Sequence, residues 1–377
     1  MSAPIISGDN AMLLFGLFAG TILCGVVMEK RGPLKGLPAP AFIFITAALA
    51  TQVSILPREA GFYDLIWRYM VPLGIAMFLI RADLIEIVTR GGRILIGFII
   101  GSVGIVIGTM LATTVLDMGP EEAKLAGVFS AAYIGGSMNF AAVSEAVEFD
   151  DRSLLASALA VDNIMGTLCM LVMMYVGSRQ YLKNAFPWRS ETLAVETPAS
   201  TRLERPTTLT DILSILALAA LVCAGADALM RTLGSPAYTM LAITAIMVMI
   251  GTFAKNYLAN IRGEDVLAMI CMYMFIAMVG TGIDLQALTS AAPKLFLMVL
   301  IIFAVHMLML FGAGYLLKLN YAELVIASLA CITGPPVIAA LAISFRWNSL
   351  LAPGVLAGIL GYAIGNFIGV AIFFYLS

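Results

Sequence analysis

Residues 132–140 read AYIGGSMNF and residues 330–337 read ACITGPPV, and each stretch interrupts an otherwise apolar segment. Glycine and proline weaken helices. In a bilayer, irregular backbone is tolerated only where it is buried in protein or lines a cavity. A pair of such interruptions at corresponding positions of two halves is typical of the binding site of a secondary transporter. These two stretches are therefore the first candidates for a binding site.

The composition indicates a polytopic membrane protein. Hydrophobic residues make up 61% of the chain and charged residues 12%, with a mean hydropathy of +1.01. The charges cluster between apolar runs of about 20 residues, which is the length needed to cross a bilayer. No basic stripe or nucleic-acid motif is present, so we expect the partners to be the lipid bilayer and a small-molecule substrate.

The apolar runs divide the chain into two halves. A polar stretch, 178–209, predicts a flexible cytoplasmic linker between a first membrane repeat, 1–177, and a second, 210–377. The predicted segments lie near 11–28, 39–56, 63–88, 94–116, 124–146, 153–177, 210–233, 236–254, 264–288, 293–318, 321–344 and 348–376.

The distribution of Lys and Arg residues tests the topology. If all twelve segments cross, nine of these residues lie on the cytoplasmic side and ten on the other. If segments 124–146 and 321–344 enter and leave on one side, the split becomes fourteen to five, with five of the fourteen in the linker. Because cytoplasmic loops are enriched in positive charge, the second arrangement is favoured. A broken helix that crosses is the alternative.

The resulting fold is all-α, with two repeats of about five transmembrane helices plus one re-entrant hairpin or broken helix each. An odd number of crossings makes the repeats inverted, so the hairpins should point inward from opposite faces. Asp83 and Asp284 hold equivalent positions near the ends of segments 3 and 9. We interpret this pair as structural or interfacial, with Arg81 as a partner for Asp83.

Several strings resemble a known family. They are YIGGSMNFAA at 133–142, AVDN at 160–163, VH at 305–306, PG at 353–354 and GYAIG at 361–365. Over essentially the whole chain the sequence resembles the YjcL-type bacterial integral membrane proteins of unknown function. That family is similar to the superfamily of cation/proton antiporters and sodium-coupled anion symporters.

This resemblance implies a scaffold domain, a mobile transport domain and an elevator-like motion. It also implies location in the bacterial cytoplasmic (inner) membrane, and it admits a homodimer. One departure concerns the second interruption, where the family usually carries an Asn and a Gly-Gly-Pro-x-Thr string. Here residues 333–336 read TGPP.

Four polar residues in the first half are candidates for ion coupling. Asp162 and Asn163 lie about ten residues into segment 6, where a buried charge is costly and indicates function. A carboxylate beside a carboxamide can bind Na⁺, or it can exchange a proton if desolvation raises its pKa. Ser137 and Asn139 at the first interruption could join this site. The alternatives are a structural hydrogen bond for Asp162 and a turn-forming role for Asn139.

The interruptions themselves are candidates for substrate binding, at Gly135 and Gly136 in the first and at Thr333, Gly334 and Pro335 in the second. Half-helix N-termini carry free N–H groups and partial positive charge, which favours an anionic solute. Prolines lack the N–H group, so the second interruption offers fewer donors.

Three further features have structural and functional interpretations. His306, in segment 10, is either a neutral histidine bonded to a neighbouring helix or a proton relay, and Glu145 follows the first interruption by two turns. Glycines at a spacing of four, three and four predict a helix-packing face in segments 4 and 12. They are Gly97, Gly101, Gly104 and Gly108, and Gly354, Gly358, Gly361 and Gly365.

The prediction is an ion-coupled secondary transporter, driven by Na⁺ or H⁺, of a small anionic organic solute. The alternative is a Na⁺/H⁺ antiporter without an organic substrate, and a passive channel or receptor is a more distant one. HExxH and GxSxG motifs are absent, which argues against an enzyme. The five cysteines stand singly, so neither a metal site nor a cofactor is expected.

Overall fold

The described residues of the computed structural model, 4–31, 39–188, 206–258, 260–282, 285–345 and 347–377, form helices and connecting turns. In chain order the helices are α1 (Ala11–Arg31), α2 (Ala39–Gln52), α3 (Gly61–Leu65), a π-helical turn (Ile66–Met70), α4 (Val71–Phe78), α5 (Leu84–Arg90), α6 (Gly92–Val115), α7 (Glu122–Gly135), α8 (Ser137–Ala146), α9 (Arg152–Ser178), α10 (Gln180–Ala185), α11 (Leu209–Thr232), α12 (Thr239–Phe253), α13 (Lys255–Leu258), α14 (Glu264–Thr281), α15 (Leu285–Leu316), α16 (Tyr321–Ile332), α17 (Pro335–Ser344) and α18 (Asn348–Leu376).

Seven helices in the described part of the chain are long and apolar enough to cross a membrane. They are α1, α6, α9, α11, α14, α15 and α18. Helices α2, α12 and α16 are apolar but shorter, with 14, 15 and 12 residues. A helix rises about 1.5 Å per residue, so about 20 residues are needed for a straight crossing. The multi-pass, all-helical prediction is confirmed at this level.

Two predicted segments end earlier than expected. Segment 63–88 is not one helix, because α4 ends at Phe78 and Asp83 caps a new helix, α5, by accepting from the Ile85 and Glu86 amides. A side-chain cap satisfies amides that a helix start leaves without partners. Segment 264–288 likewise ends at Thr281, and α15 begins at Leu285, ahead of the predicted start at 293.

Helices α7 and α8 form an antiparallel helical hairpin, hairpin 1 (122–146). The Lys124 ammonium, near its start, donates to the Glu148 carbonyl just beyond its end, at 3.0 Å. A Cβ added at Gly369 would lie 2.7 Å from the Ala131 Cβ and 3.2 Å from Val143 Cγ2, so the two arms meet one point of α18. The first interruption is therefore a hairpin turn, and the chain returns to the end from which it came.

Helices α16 and α17 form a second hairpin, hairpin 2 (321–344). A Cβ added at Gly354 would lie 2.6 Å from Ile326 Cγ2 in one arm and 2.8 Å from Ile338 Cγ2 in the other. Both ends of this hairpin also reach the end of α9. The Tyr321 hydroxyl donates to the Val176 carbonyl, and the Phe345 ring lies 3.0 Å from the Cβ position of Gly177.

The two hairpins approach each other from opposite ends of α18. Gly354 contacts the arms of hairpin 2, whereas Gly369 contacts the arms of hairpin 1, and Gly361 lies between them against Gly135. The predicted packing role of the glycine face in this helix is confirmed, since an added Cβ at each of these glycines would press on a neighbouring element. The hairpin turns consequently meet at the middle of α18.

The remaining helices pack in two groups. Helix α15 packs along α6, and both hairpins pack against α18 and α6. In the second group α14 packs against α2 and α4, and α11 packs against α12 and α4. The hairpins belong to the first group.

The start of the predicted linker is folded. After α10, Phe186 packs against Phe311 and Tyr315, and the Asn320 amide donates to the Trp188 carbonyl at 2.7 Å. The predicted flexibility concerns residues 189–205, which lie outside the described residues.

Candidate functional site

The turns of the hairpins are glycine turns that touch each other. Gly136 has φ 83° and ψ 178°, a conformation almost restricted to glycine, and Gly334 has φ 75°. A Cβ added at Gly136 would lie 3.8 Å from the Thr333 carbonyl carbon and 3.7 Å from the Tyr362 ring. The two predicted interruptions, whose glycines Gly136 and Gly334 are 198 residues apart in the sequence, are thus brought together.

Asn139 fastens hairpin 1 to α18. Its side chain is 1% exposed, and its amide donates to the Gly361 carbonyl at 2.9 Å. A Cβ at Gly135 or Gly365 would overlap this amide, so only glycine leaves room for it. Its predicted part in ion coupling stays a prediction, and the side chain of Ser137 lies outside the described part of the chain.

Asp162 lies buried in α9, next to the arm of hairpin 1 that leads to the first turn. Its carboxyl is in a residue that is 5% exposed, and it faces the Tyr133 hydroxyl of α7. That hydroxyl is close enough to interact with the carboxyl, yet it has no well-formed hydrogen bond among the described residues. A buried hydroxyl normally has a partner, and the Asp162 carboxyl is the group within reach of Tyr133.

Asn163 does not share this arrangement. Its amide donates to the Leu159 carbonyl at 2.8 Å, one turn back in its own helix. The structure therefore joins Asp162 to Tyr133, which the sequence reasoning missed. Tyr133 lies in the quoted stretch, three residues before Gly136, but a tyrosine in an apolar run gives no signal of its own.

His306 is bonded through both ring nitrogens. It is 0% exposed, and Nδ1 lies 2.9 Å from the Gly101 carbonyl while Nε2 lies 3.0 Å from the Ser328 hydroxyl. Since a carbonyl can only accept, Nδ1 carries the proton and Nε2 accepts from Ser328. This geometry fits the neutral, helix-bridging interpretation, linking α15 to α6 and to hairpin 2.

The second turn offers few donors. Thr333 donates its hydroxyl to the Leu329 carbonyl at 2.9 Å, within its own arm. Pro335 packs against α18, with its Cδ 3.0 Å from the Cβ position of Gly358. Prolines at the first two positions of α17 leave that helix start without two N–H groups.

The charged pair predicted at equivalent positions is only partly described. Asp83 is 4% exposed and forms an ion pair with Lys255 at 3.0 Å, in addition to its cap. Arg81 pairs with Glu264 rather than with Asp83. Asp284 lies outside the described residues.

A cavity of about 950 Å³ opens where hairpin 1 begins and ends. It lies between the two groups of helices, with Ser144 and Glu145 of α8 on one side and Met240 and Ile243 of α12 on another. Burial in this wall and the nearby Glu148 carboxylate raise the pKa of Glu145 to about 7. The cavity reaches Leu155, seven residues before Asp162, which is about 10 Å along α9.

The basic residues predicted outside the cytoplasm gather at this end of the molecule. Arg58, Arg152 and Arg231 line the cavity. Lys124 contacts Glu148, and Lys294 donates to the Asp117 carbonyl in the turn before hairpin 1, at 2.7 Å. This common location matches the arrangement with two hairpins.

The sequence matches one family model over residues 16–377, and the description of that family is "Protein of unknown function (DUF819)". The chain belongs to this family. It is also 29% identical over 383 residues to the "Uncharacterized membrane protein YjcL" of Bacillus subtilis (strain 168), an alignment that covers 97% of this chain and 96% of the relative. The predicted resemblance to YjcL-type proteins is confirmed.

The described part of this DUF819 member contains no group of three or more His, Cys, Asp or Glu side chains that could hold a metal ion.

Proposed function

We propose that this protein is an ion-coupled secondary transporter of a small anionic organic solute and not an enzyme. One observation carries the proposal: two glycine turns from opposite ends of the molecule meet, and the buried Asp162 faces Tyr133, three residues before the first turn. Broken helices that meet near the bilayer midplane are the usual construction of transporter binding sites. A buried carboxyl in a membrane helix is expensive, which favours a function for it.

Inverted repeats are part of the proposal. Each half has one hairpin, and the two hairpins approach α18 from opposite ends. Gly92 and Pro293 also correspond, because each lies nine residues after the aspartate of its half, Asp83 or Asp284. Gly92 marks the break between α5 and α6, whereas Pro293 lies inside α15.

The two packing groups support an elevator-like motion. The hairpin-bearing group would be the transport domain, and the group of α1–α4, α11, α12 and α14 would be the scaffold. The cavity between them would give the solute access from one side. We place the protein in the cytoplasmic membrane of a bacterium, with a homodimer as the assembly expected of similar families.

Asp162 would couple the ion to the solute. In its ionised form it would bind Na⁺ together with the Tyr133 hydroxyl and carbonyls of the turns. In its neutral form it would carry a proton, which burial favours. Either ion would neutralise the carboxylate and lower the cost of moving the transport domain.

The first test is the Asp162→Asn variant in proteoliposomes. We expect wild-type uptake of an organic anion to depend on a Na⁺ or pH gradient, and the variant to lose coupled uptake while it stays folded. Asp117→Asn, in an exposed turn, is the matched control and should keep full activity. Gradient-driven uptake by Asp162→Asn would contradict the assignment.

A Na⁺/H⁺ antiporter is the second candidate. Asp162 faces Tyr133, whereas the Asn163 amide bonds to its own helix. This favours the antiporter, since a carboxylate without a neighbouring carboxamide ligand can exchange one ion for the other. Proton flux driven by Na⁺ in the absence of any organic anion, and equal in its presence, would select this candidate.

A further inference from the structure

The cavity contains an unusual helical turn. Between α3 and α4, residues Ile66–Met70 form a π-helical turn with the sequence IWRYM. Its three central residues, Trp67, Arg68 and Tyr69, all line the cavity. In a regular helix three consecutive residues spread over about 200° of the surface. Single π-helical turns occur frequently at functional sites.

Arg68 differs in its pairing from two other arginines of the cavity, Arg152 and Arg231. Arg152 forms an ion pair with Asp64 at 3.2 Å, and Arg231 with Asp227 at 2.8 Å. Among the described residues, Arg68 has no carboxylate partner, and its guanidinium lies 5.6 Å from the Tyr69 ring centre. A guanidinium in a concave site without a counter-charge is suited to an anion.

The walls change from charged to apolar next to Arg68. Pro72 and Leu73 follow it by about one turn and line the same cavity, together with Met240 and Ile243 of α12. Arg68 thus stands between a charged mouth and an apolar interior. A ligand that fits both parts has an anionic group and an apolar body.

We propose that Arg68 is the specificity-determining residue of this cavity and that the solute is a small monocarboxylate with an apolar body. The guanidinium would hold the carboxylate with two parallel hydrogen bonds, and Trp67 and Leu73 would pack on the body. A second carboxylate on the solute would share the cavity with the Glu148 and Asp150 carboxylates, which also line it, and would be repelled by them. This inference rests on the proposed transport function, for which it names the substrate class.

Trp67 supplies a reporter for the test. The chain has three tryptophans, so the variant Trp188→Phe/Trp347→Phe leaves Trp67 as the single one. We expect benzoate to change the Trp67 emission saturably in purified protein. Benzylamine, benzyl alcohol and the dicarboxylate terephthalate should change it little at the same concentrations.

Arg68→Gln in this background should weaken benzoate binding by about tenfold or more, as expected for the loss of a charged hydrogen-bonding group. Arg231→Gln is the matched control, because it removes the same charge from the same cavity but from an arginine that is already paired. Arg68→Lys, which keeps the charge without the fork, should lie between the wild type and Arg68→Gln.

Three results would overturn the inference: no response to benzoate, preference for benzylamine, or equal affinities in Arg68→Gln and Arg231→Gln. Failure of the transport proposal is a separate outcome. If wild-type protein binds benzoate through Arg68 but shows no gradient-driven uptake, the cavity assignment stands and the transporter assignment fails. If uptake is coupled but insensitive to Arg68→Gln, the transporter assignment stands and the cavity assignment fails.

Discussion

At the scale of single residues, close packing at the centre of the molecule depends on glycines, which have no side chain. Asn139 fits against α18 only because positions 135 and 365 are glycines, and its amide then donates to the Gly361 carbonyl. A glycine in a helix lowers its stability by roughly 1 kcal/mol relative to alanine. The several glycines on one face of α18 therefore need contacts that compensate for this loss. Close packing and a buried hydrogen bond supply this compensation.

Gly365→Ala should therefore destabilise the protein by about 1–3 kcal/mol, because the added methyl group overlaps the Asn139 amide and forces one of them to move. Thermal unfolding in detergent measures this as a lower melting temperature. Gly312→Ala in α15 is the matched control, since no heavy atom lies within 4 Å of its Cβ position. The control should be neutral or stabilising, and equal melting temperatures for the two variants would contradict the packing role.

The sequence singled out some residues of the candidate site and not others, for a physical reason. Asp162 stood out because a carboxylate within an apolar run is costly wherever it packs. Tyr133 and Arg68 did not stand out. A tyrosine fits an apolar run, and an arginine near a segment end can extend to the membrane surface. Their importance depends on which groups they face, and that depends on tertiary packing.

At the scale of elements, the interruptions prove to be turns with a strict backbone requirement. The φ of 83° and ψ of 178° at Gly136 let α7 end and α8 start in a reversed direction. The sequence predicted that the helices break, since glycine and proline mark breaks. It did not predict the early end of segment 63–88, because Asp83 acts there as a helix cap, and its cap role depends on the local backbone.

Gly136→Ala should cost about 1–3 kcal/mol of stability through backbone strain and should also impair ion-dependent transport, because it displaces the turn that faces Thr333. Gly119→Ala is the matched control. Gly119 also has a positive φ, of 79°, but lies in an open turn with no heavy atom within 4 Å of its Cβ position. A similar loss of stability with intact transport is expected for the control. Intact transport in Gly136→Ala would argue against a functional role for the turn.

At the scale of the whole molecule, the charge distribution predicted the hairpins because the positive-inside rule acts on loops rather than on packed residues. From the count of Lys and Arg residues alone, segment 124–146 could also be a broken helix that crosses the membrane. The bond from Lys124 to the Glu148 carbonyl favours the hairpin, since both ends of that segment lie at the same end of the molecule. The packing of hairpin against helix could not be predicted, because glycine spacing identifies a contact face but not its partner.

Cysteine labelling of intact cells separates the two topologies. In a background without the native cysteines, Asp117→Cys and Asp150→Cys flank hairpin 1, and Tyr257→Cys lies in the short helix α13 that follows α12, where the side chain is 85% exposed. With hairpin 1 re-entrant, a membrane-impermeant maleimide should reach the first two positions from one side and Tyr257→Cys from the other. If segment 124–146 crossed the membrane, positions 117 and 150 would label from opposite sides. That result would mean that Lys124 and Glu148 lie on opposite sides of the membrane. The two turns could then not meet as described, and the transport proposal depends on that meeting.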